Sequence, residues 1–293
     1  MNTKNLRFCS NRVRDIISLY HEELDTLYGS GEVSVFCDML FEAYLNWDKV
    51  RLLTSKEQTI DQSDLLKFHW ALEDLKKQRP IQHIIGHTDF CGCRIKVTSD
   101  VLIPRPETEE IVNWIISNFT VHHSPFSILD LCTGSGCIAI ALKKAFPEAE
   151  TTAVDISPEA LEIAKGNAQT SNTEVSFFQA DILASFHTTA HYQLIVSNPP
   201  YVLEKERAQM QRNVLDYDPG LALFVPDDDP LRFYKAIVNI AQTNLTKDGV
   251  LVLEINESLA QETCSLLHKQ GFLPIIHDDF RGKHRFITSH RLF

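Results

Sequence analysis

The sequence predicts an α/β protein in two parts: a small helical domain, then a mainly parallel sheet covered by helices on both faces. Three observations predict it. Apolar residues recur at helical spacing up to about residue 80, strand-like and helix-like segments alternate beyond residue 125, and short β-like runs lie between. The 293 residues suffice for one large and one small domain, and 44% hydrophobic with 23% charged residues is an ordinary globular composition.

In residues 1–80, Ile16, Ile17, Leu19, Tyr20 and Leu24 sit at helical spacing, as do Leu65, Leu66, Phe68, Leu72 and Leu75. Gly29-Ser30-Gly31 breaks the first helix from the next, and Arg79-Pro80 closes the bundle. Residues 81–104 hold three β-like runs, "HIIG", "DFCGCRIKV" and "VLIP", which predict a β-hairpin linker. "PRPETEE" then starts a helix, with Pro106 first and Glu107, Glu109 and Glu110 at the positive end of its dipole.

The sheet domain is expected to fill residues 105–293. Seven strands are read at 127–131, 150–155, 174–180, 192–197, 249–255, 273–277 and 284–289, with helices at about 136–146, 158–171, 230–245 and 257–270. Only a short loop separates the last two strands, so the final one is expected to run antiparallel. A ligand on such a sheet sits beyond the carboxyl ends of the strands, where the strand order switches.

A formal net charge of −11 argues against sequence-independent binding to DNA or RNA, which needs basic surface. No apolar run approaches the roughly 20 residues that cross a bilayer. The opening "MNTKNLRFCSNRVRD" lacks the apolar core of a signal peptide, so a cytoplasmic address is expected. The seven cysteines, Cys9, Cys37, Cys91, Cys93, Cys132, Cys137 and Cys264, include no Cys-x-x-Cys pair, and the twelve histidines are scattered. Reduced thiols, no metal and a monomer are expected, with Cys91-Gly92-Cys93 read as a strand or turn pair.

"SILDLCTGSGCIAIAL" is a strand, a tight turn and a helix. Gly134 and Gly136 let backbone approach a ligand, and the helix start offers unpaired N–H groups. Asp155 closes the next strand about 20 residues on, where ribose hydroxyls are gripped. Gly134-x-Gly136-x-x-Ala139 also fits a relaxed dinucleotide fingerprint, so this stretch alone admits either a nicotinamide cofactor or S-adenosylmethionine. Asp181, at the end of the third strand, suits an adenine amino group with Ile182 packed on the ring; a loop cap is the plainer role for it.

"QLIVSNPPYV" decides between the two. A buried strand ends on Asn198, Pro199, Pro200 and Tyr201. The Asn198 side-chain oxygen and the Pro199 carbonyl are acceptors fixed close together, suited to the two hydrogens of a planar –NH2 group. Tyr201 offers a face for a flat group to stack on. The prolines hold the turn rigid before a substrate arrives. A nicotinamide enzyme has no need of such a clamp; a methyltransferase acting on nitrogen does.

With these motifs the chain resembles the PrmC/HemK family of release factor glutamine methyltransferases over almost its whole length. The resemblance is carried by "RPIQHIIGHTDFCGCRIKVTSDVLIPRPETEEIV", "ILDLCTGSGCIAIAL", "AVDISPEAL", "IVSNPPYV" and "DDFRGKHRFI". It implies a seven-stranded, Rossmann-like class I S-adenosylmethionine-dependent methyltransferase domain behind a helical substrate-recognition domain and a β-hairpin. The implied reaction puts a methyl group on the glutamine nitrogen of the Gly-Gly-Gln motif in class I peptide chain release factors, modulating translation termination. Carried over by position, the cofactor site falls on Cys132, Thr133, Gly134, Ser135, Gly136, Asp155, Asp181, Ile182 and Asn198. The catalytic clamp falls on Asn198, Pro199, Pro200 and Tyr201. Pro104 and Arg105 are placed near the pocket.

Two departures stand out. Cys132 occupies the usual first glycine of the loop, where a small side chain fits if φ stays negative. Asp218 and Pro230 replace residues usual in "DYDPGLALFVPDDDPL", whose Asp227-Asp228-Asp229 run is read as a solvated loop. Methylation of a ribosomal-protein glutamine, methylation of an exocyclic base amine, and a non-enzymatic cofactor-binding module remain as alternatives; the intact clamp weighs against the last.

Overall fold

The computed structural model of the protein describes residues 10–119, 126–184 and 186–292. Cys9 and the rest of the opening segment lie outside them. The chain divides into two compact units, Met1–Gly86 and His87–Phe293.

The first unit contains α1 (Val13–Tyr28), α2 (Ser30–Leu45), α3 (Lys49–Thr54), α4 (Gln62–Lys76) and α5 (Ile81–Ile85). On α1 the buried stripe is Val13, Ile16, Tyr20 and Leu24, whereas Ile17 and Leu19 are only partly covered. Gly29, at φ 85°, separates α1 from α2. The Tyr20 and Tyr28 hydroxyls donate to the Phe68 and Leu75 carbonyls at 2.6 Å, tying α1 to α4. The run "HIIG" is helical, not β-like: Pro80 caps α5 at its start and Gly86, in the left-handed region, ends it.

The second unit opens with a hairpin, β1 (His87–Phe90) and β2 (Cys93–Lys96). Cys91 and Gly92 form its turn, both at positive φ (47° and 70°), as a tight hairpin of this hand requires. "VLIP" forms no strand and runs as irregular chain into α6 (Pro106–Asn118). Alternation follows: β3 (Ser127–Leu131), α7 (Cys137–Ala145), β4 (Glu150–Asp155), α8 (Pro158–Thr170), β5 (Val175–Gln179) and β6 (Tyr192–Ser197). Beyond these come β7 (Val202–Leu203), α9 (Arg212–Leu215), β8 (Phe224–Val225), α10 (Arg232–Asn244), β9 (Leu245–Glu254), α11 (Ala260–Lys269), β10 (Phe272–Asp278) and β11 (His284–Arg291).

The seven-stranded sheet has the order β10-β11-β9-β6-β3-β4-β5. Its strands are parallel except β11, which runs antiparallel to β9 and β10, as the short preceding loop predicts. Near-continuous apolar runs in β3, β6 and β9 reflect burial on both faces, and two apolar clusters cover the sheet. From β3 the chain moves outward through β4 and β5, then returns to place β6 on the other side of β3. The order therefore switches between β3 and β6, and their carboxyl ends open a crevice there. No helix among the described residues is long and apolar enough to cross a membrane.

Candidate active site

A cavity of about 420 Å³ lies in that crevice, and all the residues lining it belong to the second unit. Cys132, Thr133, Gly134 and Ser135 line it from the turn after β3, Asp155 from the end of β4, and Asp181 and Ile182 from the loop after β5. Asn198 and Pro200 line it from the turn after β6. Segments distant in sequence thus converge on one space.

The glycine loop is shaped by backbone. Gly134 has φ 54°, and no heavy atom lies within 4 Å of where a Cβ would sit, so the loop is open for close approach. Its N–H donates to Asp155 Oδ2 at 2.8 Å, while Asp155 Oδ1 accepts from Ser157 N at 3.0 Å. The Ile156 backbone N–H also acts on this carboxylate, and the lone-pair capacity beyond these donors remains for a ligand. Burial raises the pKa of Asp155, and hydrogen bonds from Ser157 and Gly134 oppose the shift. Asp181 Oδ1 caps its own loop by accepting from Leu183 N at 2.8 Å, so the plainer role is real; the side chain still lines the cavity.

Two cofactor-loop residues depart from expectation. Cys132 does not keep negative φ: it sits at 61°, in the left-handed region that a side chain enters at a cost of about 1 kcal/mol. The turn fixes this hand, because Thr133 N must reach Val154 O at 3.0 Å. Gly136 is not among the lining residues. A Cβ there would meet Ala164 Cβ at 3.0 Å, so this glycine serves the packing of α7 on α8.

Under the loop lies Asp130, fully buried on β3. Its Oδ2 accepts from Thr133 Oγ1 at 2.6 Å and Ala139 N at 3.2 Å, while Oδ1 meets no donor. Burial pushes this carboxyl up to about 7 against the two hydrogen bonds. Asn167 on α8, buried as well, donates to the Ser135 and Lys96 carbonyls at 2.9 and 3.1 Å and anchors the loop to β2.

The opposite wall is held by side chains. Asn198 Nδ2 donates to Thr108 Oγ1 at 3.2 Å, and no donor among the described residues meets Asn198 Oδ1. Thr108 in turn donates to Glu254 Oε2 at 2.7 Å. The Tyr201 hydroxyl donates to Glu254 Oε1 at 3.0 Å, and Asn256 Nδ2 braces the Tyr201 carbonyl at 3.1 Å. Tyr201 and Pro199 are not among the lining residues; the Tyr201 ring packs on the apolar cluster around Ile195 and Leu253. Burial raises the pKa of Glu254, opposed by the bonds from Thr108 and Tyr201 and by the Arg285 charge.

Arg105 and Pro104 line the cavity where the sequence places them. Arg105 also binds the buried carboxylate of Asp218, which holds the Pro219–Phe224 segment over the site. Thr108 and Glu254 escape the sequence reading. A signal for Glu254 exists, since an acid interrupting "VLVLEI" is as anomalous as an amide ending "LIVSN". The described cysteines Cys37, Cys91, Cys93, Cys132, Cys137 and Cys264 carry free thiols. No three metal-capable side chains cluster among the described residues.

Comparisons with known proteins place this geometry. The Methyltransferase small domain model matches residues 108–216 and the PrmC N-terminal domain model matches residues 29–86. The chain is 39% identical to the release factor glutamine methyltransferase of Flavobacterium psychrophilum, over 94% of this chain and 98% of that one. It is 36% identical to the protein of that name from Bacteroides thetaiotaomicron, over 94% and 99%. A methyltransferase from Pyrococcus furiosus superposes with a TM-score of 0.50 at 16% identity, covering 69% of this chain and 90% of that one, which establishes the fold alone. Family motifs, fold and cavity agree: the chain belongs to the release factor glutamine methyltransferase family.

Proposed function

We propose that the protein methylates the side-chain nitrogen of the glutamine in the Gly-Gly-Gln motif of class I release factors and so modulates translation termination. One observation carries the reading. Asn198, whose Oδ1 meets no donor among the described residues, lines the cavity that the glycine loop and Asp155 also line, in a chain similar over nearly its whole length to curated release factor glutamine methyltransferases.

The residues present fit S-adenosylmethionine. The cavity volume suits a nucleoside-sized ligand, Asp155 has lone pairs free for ribose hydroxyls, and Gly134 leaves open space beside its backbone. Thr133, Gly134, Ser135 and Asp155 would hold its ribose and amino-acid portions, and Asp181 with Ile182 its adenine. When bound, it supplies an electrophilic methyl carbon on a sulfonium.

The chain's own residues then deal with a reluctant nucleophile, because a carboxamide nitrogen has its lone pair delocalised into the carbonyl. Asn198 Oδ1, on the cavity wall, accepts an amide hydrogen, polarises the nitrogen and fixes its direction. Positioning and electrostatics, in a turn stiffened by two prolines, supply the rate. As the nitrogen would take the methyl from sulfur, leaving a neutral thioether on the nucleoside, one amide hydrogen would leave to solvent as a proton. The helical first unit is the natural second contact for a folded release factor, since remote binding energy holds the reacting group in place.

The test is incubation with methyl-labelled S-adenosylmethionine and separate pools of release factors, ribosomal proteins and DNA, with mass spectrometry to locate the label. Label on the Gly-Gly-Gln glutamine is expected. Label confined to another pool overturns the reading.

A further inference from the structure

Asn198 can work only one way round. An amide presents an acceptor on one side and two donors on the other, and the outlines of the two halves are nearly the same. A clamp for an incoming –NH2 group needs the oxygen to face the cavity. Something must forbid the half-turn about the last bond of the side chain that would present donors instead.

The structure contains such a device. Strands β6 and β9 run parallel, with Ser197 beside Leu253, so the next residues, Asn198 just after β6 and Glu254 at the end of β9, are brought near each other. Glu254 is 2% exposed, and each of its two oxygens accepts a hydroxyl hydrogen. One oxygen takes the Tyr201 proton and the other takes the Thr108 proton at 2.7 Å. Thr108, from the first turn of α6 and also 2% exposed, has then spent its single hydrogen. Its oxygen offers only lone pairs, and the Asn198 Nδ2 group points at it from 3.2 Å. Reversing Asn198 would set oxygen against oxygen with no proton between them.

Resting on the methyl-transfer reading above, we propose that Glu254, acting through Thr108, is a positioning residue that sets the polarity of the Asn198 amide, so that the site accepts a glutamine side chain and rejects a glutamate. A glutamate carboxylate brings no hydrogens to an oxygen-lined clamp. The Asn198 half-turn would make it welcome.

The full-length protein tests this with Thr108→Val, which keeps shape but removes the hydroxyl, and Thr108→Ser, which restores it. The substrates are a release factor and its counterpart with glutamate in place of the Gly-Gly-Gln glutamine. Thr108→Val is expected to lower kcat about 10²-fold while S-adenosylmethionine affinity stays within about threefold. Its binding preference for the glutamine factor over the glutamate factor should shrink about tenfold. Thr108→Ser should remain within about threefold of the unaltered protein in both respects. The proposal is overturned if Thr108→Val keeps both kcat and preference, or if Thr108→Ser is as impaired as Thr108→Val. Should Thr108→Val fail to fold, the unaltered protein still decides by nuclear magnetic resonance. Overhauser contacts from the Asn198 side-chain NH2 hydrogens to the Thr108 methyl support the polarity, and their absence refutes it. That readout needs no turnover, so an unaltered protein inactive on every release factor sinks the functional reading separately.

Discussion

The two walls of the cavity are built from different materials. The cofactor wall is mostly main chain: the left-handed turn at Cys132 and Gly134, and backbone N–H groups reaching Asp155 and Asp130. The amide wall is mostly side chain: Asn198, Thr108, Glu254 and Tyr201 in one hydrogen-bonded chain, with Asn256 bracing the turn. Main chain is common to all residues, so the first wall tolerates a substitution such as Cys132 for about 1 kcal/mol of strain. The second depends on which atom of each side chain carries a hydrogen, so its residues have few substitutes.

The largest expected effect tests that contrast directly. Asn198→Ala should lower kcat by about 10²–10³ with cofactor affinity nearly unchanged, read by steady-state turnover and calorimetry. Near-normal turnover would dissolve the distinction between the walls. Asp155→Ala should act on the other wall alone. It should weaken S-adenosylmethionine binding about 10- to 100-fold through lost charge-assisted hydrogen bonds, with turnover at saturation little changed.

Smaller effects sharpen the comparison through stability. Asp130 titrates near 7 in the folded protein against an ordinary 3.8, so on raising the pH the unfolded chain loses this proton first. Its contribution therefore falls as pH rises from about 4 to about 7. Asp130→Asn should flatten that decline by about 1–3 kcal/mol in urea denaturation run across the same range. An unchanged pH profile would mean that the carboxyl under the loop costs nothing. Last, Cys132→Gly should raise stability by about 0.5–1 kcal/mol by relieving the left-handed turn, with cofactor affinity within about threefold. A destabilised variant would show that the packing of the half-buried thiol outweighs the strain.

Legibility in the sequence follows the same division. Strands, helices and the two motifs could be read because each is local: "TGSG" and "NPPY" are four consecutive residues apiece. Thr108 and Glu254 could not, because Thr108 meets Asn198 across 90 residues and Glu254 meets Thr108 across 146, through a register no periodicity reveals. The φ of Cys132 is dictated by where Thr133 must bond, not by the cysteine itself. Ile81–Ile85 misleads because isoleucine favours strands, while the proline and glycine bracketing the segment decide for a helix turn. Gly136 misleads differently: a glycine beside a ligand loop can serve a helix behind it.

The chain of hydroxyls ending on Glu254 also bears on how the protein matures. Its members come from the start of α6, the turn after β6 and the end of β9, so the receptor proposed for the substrate amide is incomplete until Glu254 has been made. A nascent chain that already has its glycine loop and both prolines still lacks the carboxylate that orients Asn198. The amide wall therefore gains its last member later in the chain than the cofactor wall, whose proposed contacts end at Ile182.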